Sequence, residues 1–129
     1  MTARLQVRAL EGASYPQPEA ERPLDLVRLA HQSHGNAELE RELLSLFERQ
    51  ATQLLGQLRT SQSRALQRDL ARTLAASARA VGAGGVAVAA QTFEGLADSP
   101  VKDKVLASAL ADLEAAVRAA TSAIKTLLA

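Results

Sequence analysis

Residues 64–81 read RALQRDLARTLAASARAV, and this stretch decides the fold class. Its apolar residues recur at spacings of three and four: Leu66, Leu70, Leu74, Ala78 and Val81. Because an α-helix turns by about 100° per residue, that spacing puts them on one face of a helix. The stretch therefore predicts an amphipathic helix whose leucine-bearing face is buried.

The same period continues on both sides of this helix. It predicts a short helix over residues 24–34 and longer helices over 36–59, 64–81, 86–97 and 99–129. Residues 60–63 form a polar break. Gly82, Gly84 and Gly85 are expected to interrupt the helix, so that the fourth helix begins only at residue 86. Ser99 and Pro100 suit the cap and first position of the last helix.

These elements predict an all-α fold, an antiparallel up-down four-helix bundle with a short N-terminal capping helix. Residues 24–129 are expected to form the bundle domain. Residues 1–23 contain three prolines and show no steady period, which predicts a flexible N-terminal tail.

Composition restricts the class of protein. The 129 residues suit one domain, and 15 Lys+Arg against 14 Asp+Glu give a charge of only +1, which predicts neither a nucleic-acid nor a membrane partner. The absence of cysteine excludes disulfides, thiolate metal sites and cysteine nucleophiles. No apolar run is long enough for a signal peptide or a membrane span. A cytoplasmic monomer is the resulting expectation.

The opposite face of the 64–81 helix is the candidate functional surface. Arg72 lies about 200° from Leu70 at about 100° per residue and is therefore expected to face solvent. Four residues are expected to share its stripe, at i−4, i+3, i+4 and i+7: Arg68, Ala75, Ala76 and Arg79. Residues 59–79 contain five arginines and one acid, a local basic patch. Two small alanines within it favour close approach by a partner, although a solvated helix face would show the same pattern.

The run from residue 70 to 83, LARTLAASARAVGA, resembles the signature helix of histidine phosphotransfer (HPt) domains. That helix reads roughly Ala-His-x-Leu-Lys-Gly-Ser and is followed by a glycine-containing turn. Ala71, Leu74, Ser77 and Gly82 match it. The opening of residues 24–30, LDLVRLA, and the later FERQ at 47–50 are also similar to the start of such domains, so the resemblance extends from about residue 24 to 128.

The departures from the HPt pattern change its chemistry. Arg72 stands at the position of the phosphoacceptor histidine, while Ala75 and Ala76 replace the usual lysine and glycine. A guanidinium stays protonated and has no lone pair with which to attack an acyl phosphate. The resemblance thus implies a non-enzymatic pseudo-HPt protein without cofactors. Its remaining role would be to bind a response-regulator receiver domain or a histidine kinase through the face around Arg72.

Two alternatives remain open from the sequence. His31 and His34 lie three residues apart, and either could accept phosphate in a working phosphotransfer protein, although neither is on the signature helix. They have no neighbouring cysteine or carboxylate at ligand spacing, so no metal site is expected. Ser77 has no nearby base and is expected to bond within its own helix. The other alternative is a helical scaffold unrelated to phosphorelay signalling.

Overall fold

The protein is all-helical throughout residues 23–129, the part that this computed structural model describes, with five helices and no strand. The helices are α1 (Leu26–Gln32), α2 (Ala37–Thr60), α3 (Arg64–Ala80), α4 (Gly84–Ala97) and α5 (Asp103–Leu128). The predicted all-α class is therefore confirmed. The predicted tail lies outside the described residues, apart from Pro23.

The four long helices enclose one apolar core. α3 and α4 pack most closely, α4 also packs on α5, and α2 contacts both α3 and α5. The short α1 contacts α2 and α3. The largest fully buried apolar side chains come from all five helices: Leu29, Leu44, Leu58, Leu74, Val86, Phe93, Leu113 and Ile124. This arrangement is compatible with a helical bundle.

Side-chain caps explain where the first three helices begin. The Asp25 carboxylate accepts the N–H groups of Val27 and Arg28, the Asn36 side chain accepts that of Leu39, and the Ser63 hydroxyl accepts that of Leu66. Each cap satisfies a backbone donor that the first helical turn leaves without a partner.

The turn between α3 and α4 is shorter than expected. Only Gly82 has a left-handed backbone, with φ of +78°, and α4 begins two residues later. Gly84 and Gly85 lie in the first turn of α4, so the prediction that they interrupt the helix is wrong. One left-handed residue suffices because the Ala83 N–H already closes α3 on the Ala78 carbonyl, at 2.8 Å.

The predicted start of α5 at Ser99 and Pro100 is also wrong. The helix begins at Asp103, after Lys102 at the cap position. The Ser99 hydroxyl instead donates to the Gly95 carbonyl at 2.7 Å, at the end of α4. Arg64 holds the intervening segment, because its guanidinium donates to the carbonyls of Ser99, at 3.2 Å, and Val101, at 2.7 Å.

α3 is rotated relative to the predicted orientation. Leu66 is 49% exposed and Leu70 is half-buried, whereas Ala71 and Ala75 are buried at 0% and 1% exposure. Ala75, expected to face solvent, therefore lies in the core. The physical reason is the close packing of α3 on α4, because small side chains let two helix backbones approach.

Candidate functional site

Arg72 lies on the outer side of α3, as the sequence predicted. Its side chain is 65% exposed, and Ala76, one turn further along, is also exposed. Arg68 and Arg79 are half-buried, and Ala75 is part of the core. The predicted stripe is thus brought together only in part, and Ala75 is removed from the candidate surface.

Two ion pairs connect this side of α3 to α4. The Arg72 Nε donates to Glu94 Oε2 at 2.9 Å, and the Arg68 Nη1 donates to Asp98 Oδ1 at 3.2 Å. Arg68 also pairs with its neighbour Asp69 through Nε, at 3.2 Å. The arginines are one turn apart on α3, and the acids are one turn apart at the C-terminal end of α4. The two ion pairs therefore lie side by side between the helices, and we call each of them a rung.

We call the residues of these pairs, together with Ala76, the Arg72 surface: Arg68, Asp69, Arg72, Ala76, Glu94 and Asp98. Its two arginines face three carboxylates. The prediction of a local basic patch is therefore wrong at this surface, since α4 supplies acids that the 59–79 segment does not contain. Sequence reasoning missed Glu94 and Asp98 because they are more than 20 positions away from their partners.

Two further arginines of the 59–79 segment also form ion pairs within the molecule. Arg59 pairs with Glu114 of α5, and the Arg64 Nη2 lies 3.0 Å from Asp103 Oδ1. Arg72 is the most exposed of the four arginines that form these interhelical pairs. It is therefore the most accessible cation among them.

Two carboxylates hold the Arg68 guanidinium. Its hydrogen bonds to Asp98 and then to Asp69 raise the pKa of Arg68 above its ordinary value. The Arg68 side chain is half-buried between these acids, whereas Arg72 is held by one carboxylate and extends into solvent.

The end of α3 nearest Arg79 is covered by α1. The Arg28 Nε donates to the Arg79 carbonyl at 2.8 Å, and the Asp25 N–H donates to the Gly82 carbonyl at 2.7 Å. The first adds a donor to a carbonyl that also accepts the Gly82 N–H, and the second gives the Gly82 carbonyl a partner beyond the end of the helix. α1 therefore borders the candidate surface on the Arg79 side.

Ser77 does not bond within its own helix, contrary to prediction. Its hydroxyl lies 2.7 Å from the Gln50 Oε1 of α2, in a half-buried position. The bond joins α2 to α3 on a side away from solvent. Ser77 thus has a structural role, and no imidazole base is among its hydrogen-bond partners.

The two histidines lie at the end of α1. Both are exposed, with His31 in the last helical turn and His34 beyond it, at a left-handed φ of +53°. Within residues 23–129, no group of three or more His, Cys, Asp or Glu side chains is placed to hold a metal ion.

A groove lies away from the Arg72 surface, between the α2–α3 turn and the start of α5. It has a volume of about 520 Å³, and its lining includes Arg59, Gln62, Arg64, Phe93 and Leu106. Both arginines are already paired with carboxylates of α5. The groove therefore offers polar edges but no cation that lacks a partner.

The candidate site is accordingly an exposed surface on the α3–α4 side of the molecule. Among the helices that the structure describes, none is both long and apolar enough to cross a membrane. Comparison of the chain with protein-family models, with curated proteins and with solved structures found no match.

Proposed function

We propose that this chain is a non-catalytic pseudo-HPt protein of cytoplasmic phosphorelay signalling. Its Arg72 surface binds a response-regulator receiver domain, in competition with true phosphotransfer proteins; a histidine kinase is the other partner of the same class. In this proposal the four long helices form an antiparallel up-down bundle of the HPt kind, with α1 over one end.

The exposure of Arg72 is the observation that carries the proposal. The position that matches the phosphoacceptor histidine is on the outer face of α3, with 65% of the side chain exposed. A residue at that position is accessible to a docking protein. Because it is an arginine, it can donate charge-assisted hydrogen bonds to a carboxylate but cannot accept a phosphoryl group.

The other matched positions support the resemblance through their structural roles. Ala71 and Leu74 are buried on the inner face of α3, and Gly82 provides the left-handed residue that ends the helix. The positions that align with HPt domains therefore include two buried residues of the inner face, the glycine at the helix end and the exposed position of Arg72.

The receiver pocket supplies the complementary chemistry. Receiver domains hold their phosphorylatable aspartate among other acids, so a projecting guanidinium can form charge-assisted bonds there. Glu94 engages only the Nε donor of Arg72 in the structure, and a guanidinium has further N–H donors on its Nη atoms. Arg72 can therefore contact a partner carboxylate through donors that Glu94 does not use.

The test is the affinity of Arg72→Ala for a receiver domain, measured by calorimetry. We expect a loss of about 1–3 kcal/mol in binding, because arginines are frequent interface hot spots. The free energy of unfolding should change by no more than ~0.5 kcal/mol. Arg41→Ala, at an exposed position on α2, is the matched control and should bind like the wild type.

Two results would contradict the proposal. One is an unchanged affinity of Arg72→Ala for a receiver domain that binds the wild type. The other is transfer of labelled phosphate from the receiver domain to His31 or His34, located by mass spectrometry. That transfer would identify a working phosphotransfer protein instead.

A further inference from the structure

Arg72 is not a free cation in this molecule, because Glu94 already holds it. The Nε–Oε2 distance of 2.9 Å is that of a charge-assisted hydrogen bond. The two side chains differ in exposure, at 65% for Arg72 and 25% for Glu94. The arginine is therefore reachable from outside, while its carboxylate partner is anchored on α4.

An incoming acid must share Arg72 with Glu94. Two carboxylates on one guanidinium repel each other, so the Glu94 charge lowers the affinity of Arg72 for a second anion. A full exchange would also leave the half-buried Glu94 carboxylate without its cation. Either way, Glu94 weakens the binding of acids to Arg72.

The neighbouring rung, Arg68 with Asp98, does not weaken the binding of acids to Arg72 in the same way. Asp98 pairs with Arg68, which Asp69 also contacts, and Arg68 is only 32% exposed. Arg68 thus has two acids around it and limited access. Removing the Asp98 charge would leave Arg72 still paired with Glu94.

We infer that Glu94 is an internal competitor for Arg72 and sets the affinity of the Arg72 surface for acidic partners. The inference takes from the proposed function that Arg72 is the contact residue. It adds that an acid of the partner has to compete with an existing carboxylate, that of Glu94, for Arg72. Because of this competition, other anions bind the surface weakly.

The test uses Glu94→Gln, which removes the charge and keeps the shape of the side chain. Inorganic phosphate is the probe, titrated at constant ionic strength while the Arg72 Nε–H resonance is followed by NMR. We expect the midpoint to fall about two- to five-fold, the range that corresponds to an exposed ion pair. In the Arg72→Ala background the backbone amide resonances of α3 replace the missing side-chain signal. There, Glu94→Gln should have no effect on phosphate binding, as a double-mutant cycle requires.

Two controls separate competition from a change in net charge. Glu114→Gln removes the same charge from a glutamate of nearly equal exposure, 24%, that pairs with Arg59 elsewhere on the molecule. Asp98→Asn removes a charge one turn away on the same surface. Both should leave the phosphate midpoint at Arg72 within about 1.5-fold of the wild type, because neither carboxylate contacts Arg72 in the structure.

The same variant is then measured with a receiver domain. A gain in affinity of about two- to five-fold supports the inference. Equal phosphate midpoints for wild type and Glu94→Gln overturn it, as does an Arg72 resonance that phosphate moves in neither protein. A loss of receiver affinity in Glu94→Gln overturns it as well, since Glu94 would then be a contact of the partner. If no receiver domain binds the wild type, the proposed function fails while the phosphate titration still decides the role of Glu94.

Discussion

Gly82 is a residue at which a single added methyl group would clash with the backbone. Its φ is +78°, and a Cβ built on it would lie 2.6 Å from the Asp25 carbonyl oxygen. The contact is with backbone, which cannot move aside as the end of a flexible side chain can. Gly82 therefore allows α1 to dock on the end of α3.

Gly82→Ala should lower the free energy of unfolding by about 1–3 kcal/mol, since it combines a left-handed alanine with a backbone clash. Gly56→Ala and Gly95→Ala are the controls, because a Cβ at either position meets no atom within 4 Å. Both controls should raise stability by about 0.5–1 kcal/mol, as glycine is unfavourable inside a helix. Urea unfolding measures all three. A Gly82→Ala protein as stable as the controls would show that α1 does not dock in this way.

Ala75 and Ala76 are adjacent in sequence but differ completely in environment. Ala75 is 1% exposed and Ala76 is exposed. Ala75→Lys would place an ammonium and a long side chain in the core and should cost about 2–4 kcal/mol. Ala76→Lys should change stability by no more than ~0.5 kcal/mol. Thermal unfolding followed by circular dichroism compares the two, and equal melting temperatures would contradict the rotation of α3.

At the scale of the elements, the sequence was sufficient for the number and order of the helices and insufficient for the rotation of α3. The apolar period and the polar break at residues 60–63 located α2 and α3 to within one residue at each end. The rotation of α3 was missed because its leucines and its alanines define two stripes about 100° apart. Hydrophobicity favours burial of the leucine stripe, but close packing on α4 favours burial of the alanine stripe. The pattern of α3 alone does not contain that packing.

The start of α5 and the acids of the Arg72 surface could not be predicted for a related reason. Ser99 and Pro100 have the properties of a helix start, yet the segment is fixed by Arg64, 35 positions earlier. Glu94 and Asp98 reach Arg72 and Arg68 only after α3 and α4 pair. The exposure of Arg72 was predictable because Arg72 lies outside both stripes, opposite the leucine stripe and about 100° from the alanine stripe.

Arg64 connects three elements, which makes it a test of how the loop before α5 is held. It donates to the carbonyls of Ser99 and Val101 and pairs with Asp103. Arg64→Ala should lower stability by about 1–3 kcal/mol, because hydrogen bonds to a charged donor are lost. Arg64→Lys should recover less than half of that, since one ammonium does not reproduce the planar fork of a guanidinium. Full recovery by lysine in urea unfolding would mean that charge alone holds the loop.

At the scale of the whole molecule, ion pairs join the long helices of residues 23–129, and the net charge is close to zero. The net charge is +1, and the interhelical pairs connect α2 to α5, α3 to α5 and α3 to α4. Exposed pairs of this kind contribute about 0–1 kcal/mol each, so the apolar core determines stability. Individual pairs can therefore be reversed without loss of the fold, which allows the surface to be tested separately from it.

The double variant Arg72→Glu, Glu94→Arg tests partner binding separately from the stability of the fold. It keeps the ion pair and the net charge, so its melting temperature should lie within a few degrees of the wild type, consistent with a stability change below ~1 kcal/mol. Receiver binding should fall at least about tenfold, because an acid now occupies the exposed position that faces the partner's acids. Calorimetry with the receiver domain gives the affinity, and circular dichroism confirms the fold. If the double variant binds as tightly as the wild type, the receiver domain does not recognise the charge at position 72, and attraction by the molecule as a whole or contact at another surface must account for binding.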